Sequence, residues 1–276
     1  MLFNTGIEIF RLLVFGVIEM LYWQLSFLKF SILFLLGINH SILAQTVSDI
    51  FPEEYRQKID SAVLRNAVDR PALQATIEWI KQLAQSTQDP VILAELARLE
   101  CANAEVETQK SKRLAFYKNC IDTADQALAE NANEVVALYW KAVAMGKLSE
   151  KMSILDALRM TRSMENLFLR VIALDENYDN AGGHKALGRI YHQLPGFPIS
   201  FGNNEKALFH LRRAYELFPE DIITRAFYAE ILMDLDEKQE ALRHAEFILA
   251  APIEAENRFR YREFVEIARN IIRKNL

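Results

Sequence analysis

The chain has 276 residues, 51% of them apolar, and a formal net charge of −5 at pH 7. With only 9 glycines and 7 prolines against much Ala, Leu, Glu, Lys and Arg, the composition argues against a sheet protein and for helices. The negative balance disfavours a nucleic-acid binder, which carries a basic excess, and the length is enough for a sizeable core.

The first 44 residues differ in kind from the rest. Only Glu8, Arg11, Glu19 and Lys29 carry charge there. Lys29 precedes the apolar run FSILFLLGI and then the small residue Ala44, which is the order of a secretory signal. Residues 1–44 are expected to be a cleaved signal peptide, with Met1 or Met20 as its start, or else an uncleaved membrane anchor, because 20–38 is nearly long enough to span a bilayer. Residues 45–276 are then one exported, periplasmic domain that meets the membrane only through that segment.

Beyond Ala44 the pattern is helical throughout. Pro52 and Pro71 stand where a first helical turn begins, which suits proline. Leu73, Ile77, Ile80 and Leu83 form one apolar stripe at helical spacing. Asp89-Pro90 breaks that helix and VILAELARLECANAEVE opens another. Further helices are expected near 109–130, 134–147, 153–174, 181–193, 204–217, 221–234, 237–250 and 255–274, and no segment alternates as a strand does.

The helices repeat a pattern. Leu187, Gly188 and Tyr191 are followed by Ala207, Leu211, Ala214 and Pro219. Ala229, Ala241 and Pro252 echo it downstream. Met164, Phe168 and Val171 echo it upstream, as do Cys120, Ala124, Ala127 and Ala132 before them. This spacing resembles the tetratricopeptide (TPR) repeat, an antiparallel helix pair in about 34 residues. Four degenerate units are expected at about 91–131, 135–176, 181–219 and 222–252, with 255–274 as a C-terminal capping helix that is wet on its outer face. The resemblance implies an all-α, TPR-like right-handed superhelix of antiparallel pairs. Small residues let paired helices approach closely, so Gly188 is expected to face Ala207.

Unit three carries an insert, LPGFPISFGN, and units one and two have long second helices. With ALYWKAVAMG and ALDENYDNAGGHKALGRIY, the region from about 130 to 235 is similar to the T component of tripartite TRAP transporters, the TatT family. It also looks like the helical-repeat regulators of microtubule dynamics. The TatT resemblance implies a non-enzymatic component that associates with a periplasmic solute-binding protein, captures a small hydrophobic or carboxylate ligand, and forms trimers. One departure is plain: TatT proteins are lipoproteins, and Gln45 stands where the lipidated cysteine belongs. The alternative is a general TPR scaffold docking peptide segments in envelope assembly.

No catalytic motif survives inspection, since GxSxG, HExxH, DxDxDG and a phosphate-binding loop are all missing. His184 and His192 are eight residues apart, too far along a helix to share an ion, and the histidines read as surface or groove residues. No metal or cofactor is expected. Arg258, Arg260 and Arg262 are expected to pair with acidic residues of their own helix, Glu254 and Glu256 lying four residues ahead of Arg258 and Arg260. Cys101 and Cys120 fall at facing positions of one hairpin. They are read as two buried free thiols, a disulfide being the alternative in an oxidising compartment.

In a TPR array the first helices line the concave face. Their groove positions would be Val136, Tyr139, Val143 and Gly146 in unit two, Gly182, Lys185, Arg189 and His192 in unit three, and Ile223, Ala226, Glu230 and Met233 in unit four. The candidate site is therefore Tyr139, Lys185, Arg189, His192 and Glu230, with Lys185 and Arg189 holding a carboxylate. The alternative is ordinary exposed helix surface. In the insert, Phe197, Ile199 and Phe201 either tuck into the hairpin or present a lid to a ligand.

Overall fold

The structure is a computed structural model that describes residues 51–150 and 152–275, so the expectations for 1–44 lie outside the described residues. Among the described residues there are eleven α-helices and no strand. They are α1 (Glu53–Leu64), α2 (Arg70–Thr87), α3 (Pro90–Val106), α4 (Lys110–Glu130), α5 (Val135–Ser149) and α6 (Ile154–Leu174). After these come α7 (Tyr178–Gln193), α8 (Asn204–Leu217), α9 (Ile222–Asp234), α10 (Lys238–Ala250) and α11 (Arg258–Lys274).

Local chemistry sets the boundaries. Asp89 accepts hydrogen bonds from the Val91 and Ile92 amides, and Pro90 occupies a first-turn position that needs no donor. Asp69 caps α2 through Ala72, Asn203 caps α8 through Lys206, and Asp221 caps α9 through Thr224. Each such cap is worth about 1 kcal/mol.

Successive helices pack as antiparallel pairs: α3 with α4, α5 with α6, α7 with α8 and α9 with α10. Each pair then meets the next, second helix to first, as α4 meets α5 and α8 meets α9. The expected spacing is visible in the core, where Leu187, Tyr191, Ala207, Leu211, Ala214, Ala229 and Ala241 are all buried. The atoms nearest to a Cβ built on Gly188 belong to Leu211, one turn beyond Ala207 on the same helix. A Cβ on Gly188 would fall 2.4 Å from Leu211 Cγ. Helix α11 packs against both α9 and α10, the seat that the first helix of another repeat would take. The ion pairs expected within that helix do not form. Ala255–Asn257 is a 3-10 turn and α11 starts only at Arg258, so Glu254 and Glu256 are not on its surface.

The reading of two free thiols is corrected. Cys101 of α3 and Cys120 of α4 are joined by a disulfide, with Cα atoms 5.6 Å apart, inside the normal bridging range. Sequence placed the two at facing positions but could not supply that distance. The link closes a loop of about 20 residues, for which chain entropy gives about 3 kcal/mol. Reduction, or a Cys101→Ala/Cys120→Ala pair, is expected to lower unfolding free energy by that amount in urea titration. Alkylation of the native protein is expected to leave both sulfurs unlabelled.

The reading of the histidines as surface or groove residues is corrected for three of them. His184, His210 and His244 are buried between paired helices. His184 Nδ1 lies 2.8 Å from His210 Nδ1, and in the next repeat Arg225 Nη1 lies 3.3 Å from His244 Nδ1. Counted in the repeat frame, these are the same two positions. A polar pair thus fills a site where TPR hairpins use a large side chain on the first helix.

Burial lowers the His210 imidazole to about 4, with His184 and Lys206 adding to the effect. Burial, then Arg225 and Arg243, lowers His244 to about 4 as well. Unfolded histidine titrates near 6.5, so below that pH the unfolded chain binds protons that the folded chain refuses. Stability from these groups is complete above about pH 6.5 and is lost as pH falls towards about 4. Glu95 and Glu100, raised chiefly by burial, act in the opposite sense. The comparison that isolates the histidines is therefore wild type against His210→Gln/His244→Gln. Between pH 7.5 and 5.5 the wild type is expected to lose about 1 kcal/mol more per histidine.

Candidate functional site

The first helices bring the groove residues together, but in a different state from the one expected. Helix α7 opens with three consecutive left-handed residues, Asp179 (φ 51°), Asn180 (φ 54°) and Ala181 (φ 58°). Asp and Asn tolerate this region, whereas for alanine it costs about 1–2 kcal/mol. Gly182 follows, and any Cβ on it would lie 2.6 Å from the Tyr139 ring. The turn therefore lets α7 begin beneath that ring.

Interactions from other helices hold the turn. Tyr139 Oη donates to Asp179 at 2.6 Å, and Asn180 Nδ2 donates to Asp221 at 3.4 Å. Arg260 of α11 reaches within 3.7 Å of Asp179. Burial, with Asp179 beside it, holds the Tyr139 hydroxyl well above the ordinary tyrosine pKa, so it remains a donor. Tyr139 also meets Trp140, Phe168 and Tyr178 edge-on.

The cations are not open. Lys185 is buried, with 5% of its side chain exposed, and its Nζ lies 3.8 Å from Asp179 and 3.6 Å from Asp221. It makes no hydrogen bond, since both carboxylates stand just beyond reach. Arg189 is ion-paired with Glu230, and its guanidinium lies 4.6 Å from the Phe227 ring centre. His192 Nε2 is 2.8 Å from Asp234. An incoming carboxylate would have to displace a resident one at either cation.

Asp179 and Asp221 were not among the expected site residues, and Arg260 was assigned to partners on its own helix rather than to Asp179. Asp221 carried a signal, because its carboxylate three residues before Thr224 is a cap pattern. Asp179 and Asn180 before two glycines also marked a left-handed turn. Nothing local pointed Arg260 at a residue 81 positions earlier.

The insert splits the two alternatives left open for it. Phe201 tucks in, edge-on to Tyr191 at 6.1 Å and beneath the Arg162 guanidinium at 3.6 Å. Phe197 and Ile199 stay outside, exposed to solvent. Four backbone bonds fix the loop: Gly202 N to Pro195 O, Ile199 N and Ser200 N to Gly196 O, and Asn203 N to Tyr191 O, all between 2.9 and 3.2 Å. Two open recesses stand out. One, of about 320 Å³, lies between Lys141, Met145, Leu167 and Arg170. The other, of about 480 Å³, lies at the foot of the insert against Asn203, Asn204 and Glu205. Neither is lined by Tyr139, Arg189 or Phe197.

Repeated helix pairs, small interior residues and a helix seated like the start of a further repeat define a tetratricopeptide-type helical-repeat protein. The model of the family described as TRAP transporter T-component matches residues 91–262, more than half of the chain and wider than the 130–235 expected from sequence. The chain belongs to the TRAP transporter T-component family. Among solved structures it is similar to TTC0263, a thermophilic TPR protein in Thermus thermophilus. That match has a TM-score of 0.55 and 17% identity, covering 77% of this chain and 99% of that one. It is also similar to MamA 41-end from Desulfovibrio magneticus RS-1, with a TM-score of 0.45, 16% identity, and coverage of 72% and 95%. No curated protein matches the sequence.

Proposed function

We propose that this protein is an exported, non-enzymatic component of a TRAP-type transport system and works by binding a protein partner, the periplasmic solute-binding protein of that system. Membership of the T-component family carries the reading. The disulfide supports export, because such bonds persist in oxidising compartments. In this reading residues 1–44 deliver or anchor the chain and 45–276 act as one domain. Among the described residues no helix is long and apolar enough to cross a membrane.

Capture of a small carboxylate at Lys185 and Arg189 is the weaker half of the proposal, because Asp179, Asp221 and Glu230 already neutralise both cations. An apolar ligand needs no free cation, but Tyr139 is buried and borders neither recess, so it does not supply the contact surface.

The test is direct binding between the full-length protein and the purified solute-binding protein encoded beside its gene, measured by calorimetry. Micromolar or tighter association is expected. No binding, together with no TRAP permease gene nearby, would sink the transport reading and leave a general TPR scaffold.

A further inference from the structure

The concave face is the usual place to look for a TPR partner, yet here its polar groups pair with one another. The insert has the opposite character. Phe197 is 93% exposed and Ile199 70% exposed, on a loop that nothing leaves floppy. Its ends are joined by the Gly202–Pro195 backbone bond, and its base is pinned by Phe201 beneath Arg162. A rigid apolar tip loses little entropy when it is covered, which is the condition for an energetic anchor at an interface.

The surroundings say what covers it. At the foot of the same loop lies the recess of about 480 Å³, lined by Leu194, Gly196 and Gly202 but also by Asn203, Asn204 and Glu205. A bilayer holds a peripheral protein by inserted apolar area together with basic residues facing its anionic headgroups, and this lining carries the Glu205 carboxylate and no basic residue. A folded protein can fill both features at once. The geometry points to the insert as the docking element of this protein. Its partner presents an apolar socket for Phe197 and Ile199, with a basic or amide side chain beside it that enters the recess at Glu205.

This inference rests on the transport reading above, and its failure can be told apart from that one. Full-length wild type, Phe197→Ser/Ile199→Ser and a distant control, Val68→Ser, are titrated with the same solute-binding protein. Val68 is also exposed, at 56%. The double variant is expected to keep the wild-type melting temperature, because neither side chain is packed, and to bind at least about 30-fold more weakly. The control is expected to bind as wild type does. Equal binding by wild type and double variant overturns the docking element and leaves the transport reading standing. No binding by the wild type overturns both. Flotation on phosphatidylethanolamine–phosphatidylglycerol vesicles, or a self-association, that is lost in the double variant while protein binding is kept identifies a different occupant and also overturns it.

Discussion

Lys185→Met is expected to lower the unfolding free energy by about 3–5 kcal/mol, the usual cost of removing one member of a buried ion pair. Methionine keeps the length and apolar stem of lysine, so packing is spared. What disappears is the positive charge between Asp179 and Asp221. Asp179 still has Tyr139 and Arg260. Asp221 has only 4% of its side chain exposed and would keep just its cap bonds to Thr224 and a long contact from Asn180. Adding Asp221→Asn should recover part of the loss, because the unpaired charge goes with it. Urea titration of the two single variants and the double one reads this coupling. A loss below about 1 kcal/mol for Lys185→Met would show that water screens the cluster.

Gly188→Val is expected to cost about 3–4 kcal/mol, at or beyond the upper end of ordinary overpacking. The first added carbon would lie 2.4 Å from Leu211 Cγ and 2.8 Å from its Cδ2, and Leu211 is wholly buried. Neither side chain can yield without widening the gap between α7 and α8. Leu211→Ala removes the obstructing atoms and by itself leaves a cavity, costing about 2–5 kcal/mol. Combined, the two should cost much less than their sum. Additivity would mean that the helices meet elsewhere.

That contact also marks how far the sequence could be read. Helix boundaries were legible because caps and prolines are local devices: Asp89-Pro90 and Pro71 announce themselves. Pairing was legible because interior positions of a close hairpin must be small or aliphatic, which picked out Gly188, Ala207 and Leu211. That the Leu211 side chain presses on Gly188 depends on how the helices slide along each other, and spacing alone does not fix that. The groove was legible as a set of positions but not as a set of states. Periodicity placed Lys185 and Arg189 on the inner face; it could not say that Asp179, Asp221 and Glu230 neutralise them, since those partners lie on other turns or other helices. Histidines fared similarly. His184 and His210 are polar residues at core positions, and only their proximity across the hairpin explains why burial is tolerated.

The seat taken by α11 has a consequence for assembly. A stack of alike units is an open polymer in principle, since each end offers the surface that the opposite end of another molecule fits. Here the exposed side of the last pair is already covered, and Glu266, Arg269 and Arg273 of the covering helix bond to one another at the surface. Head-to-tail growth into filaments is thereby stopped at that end.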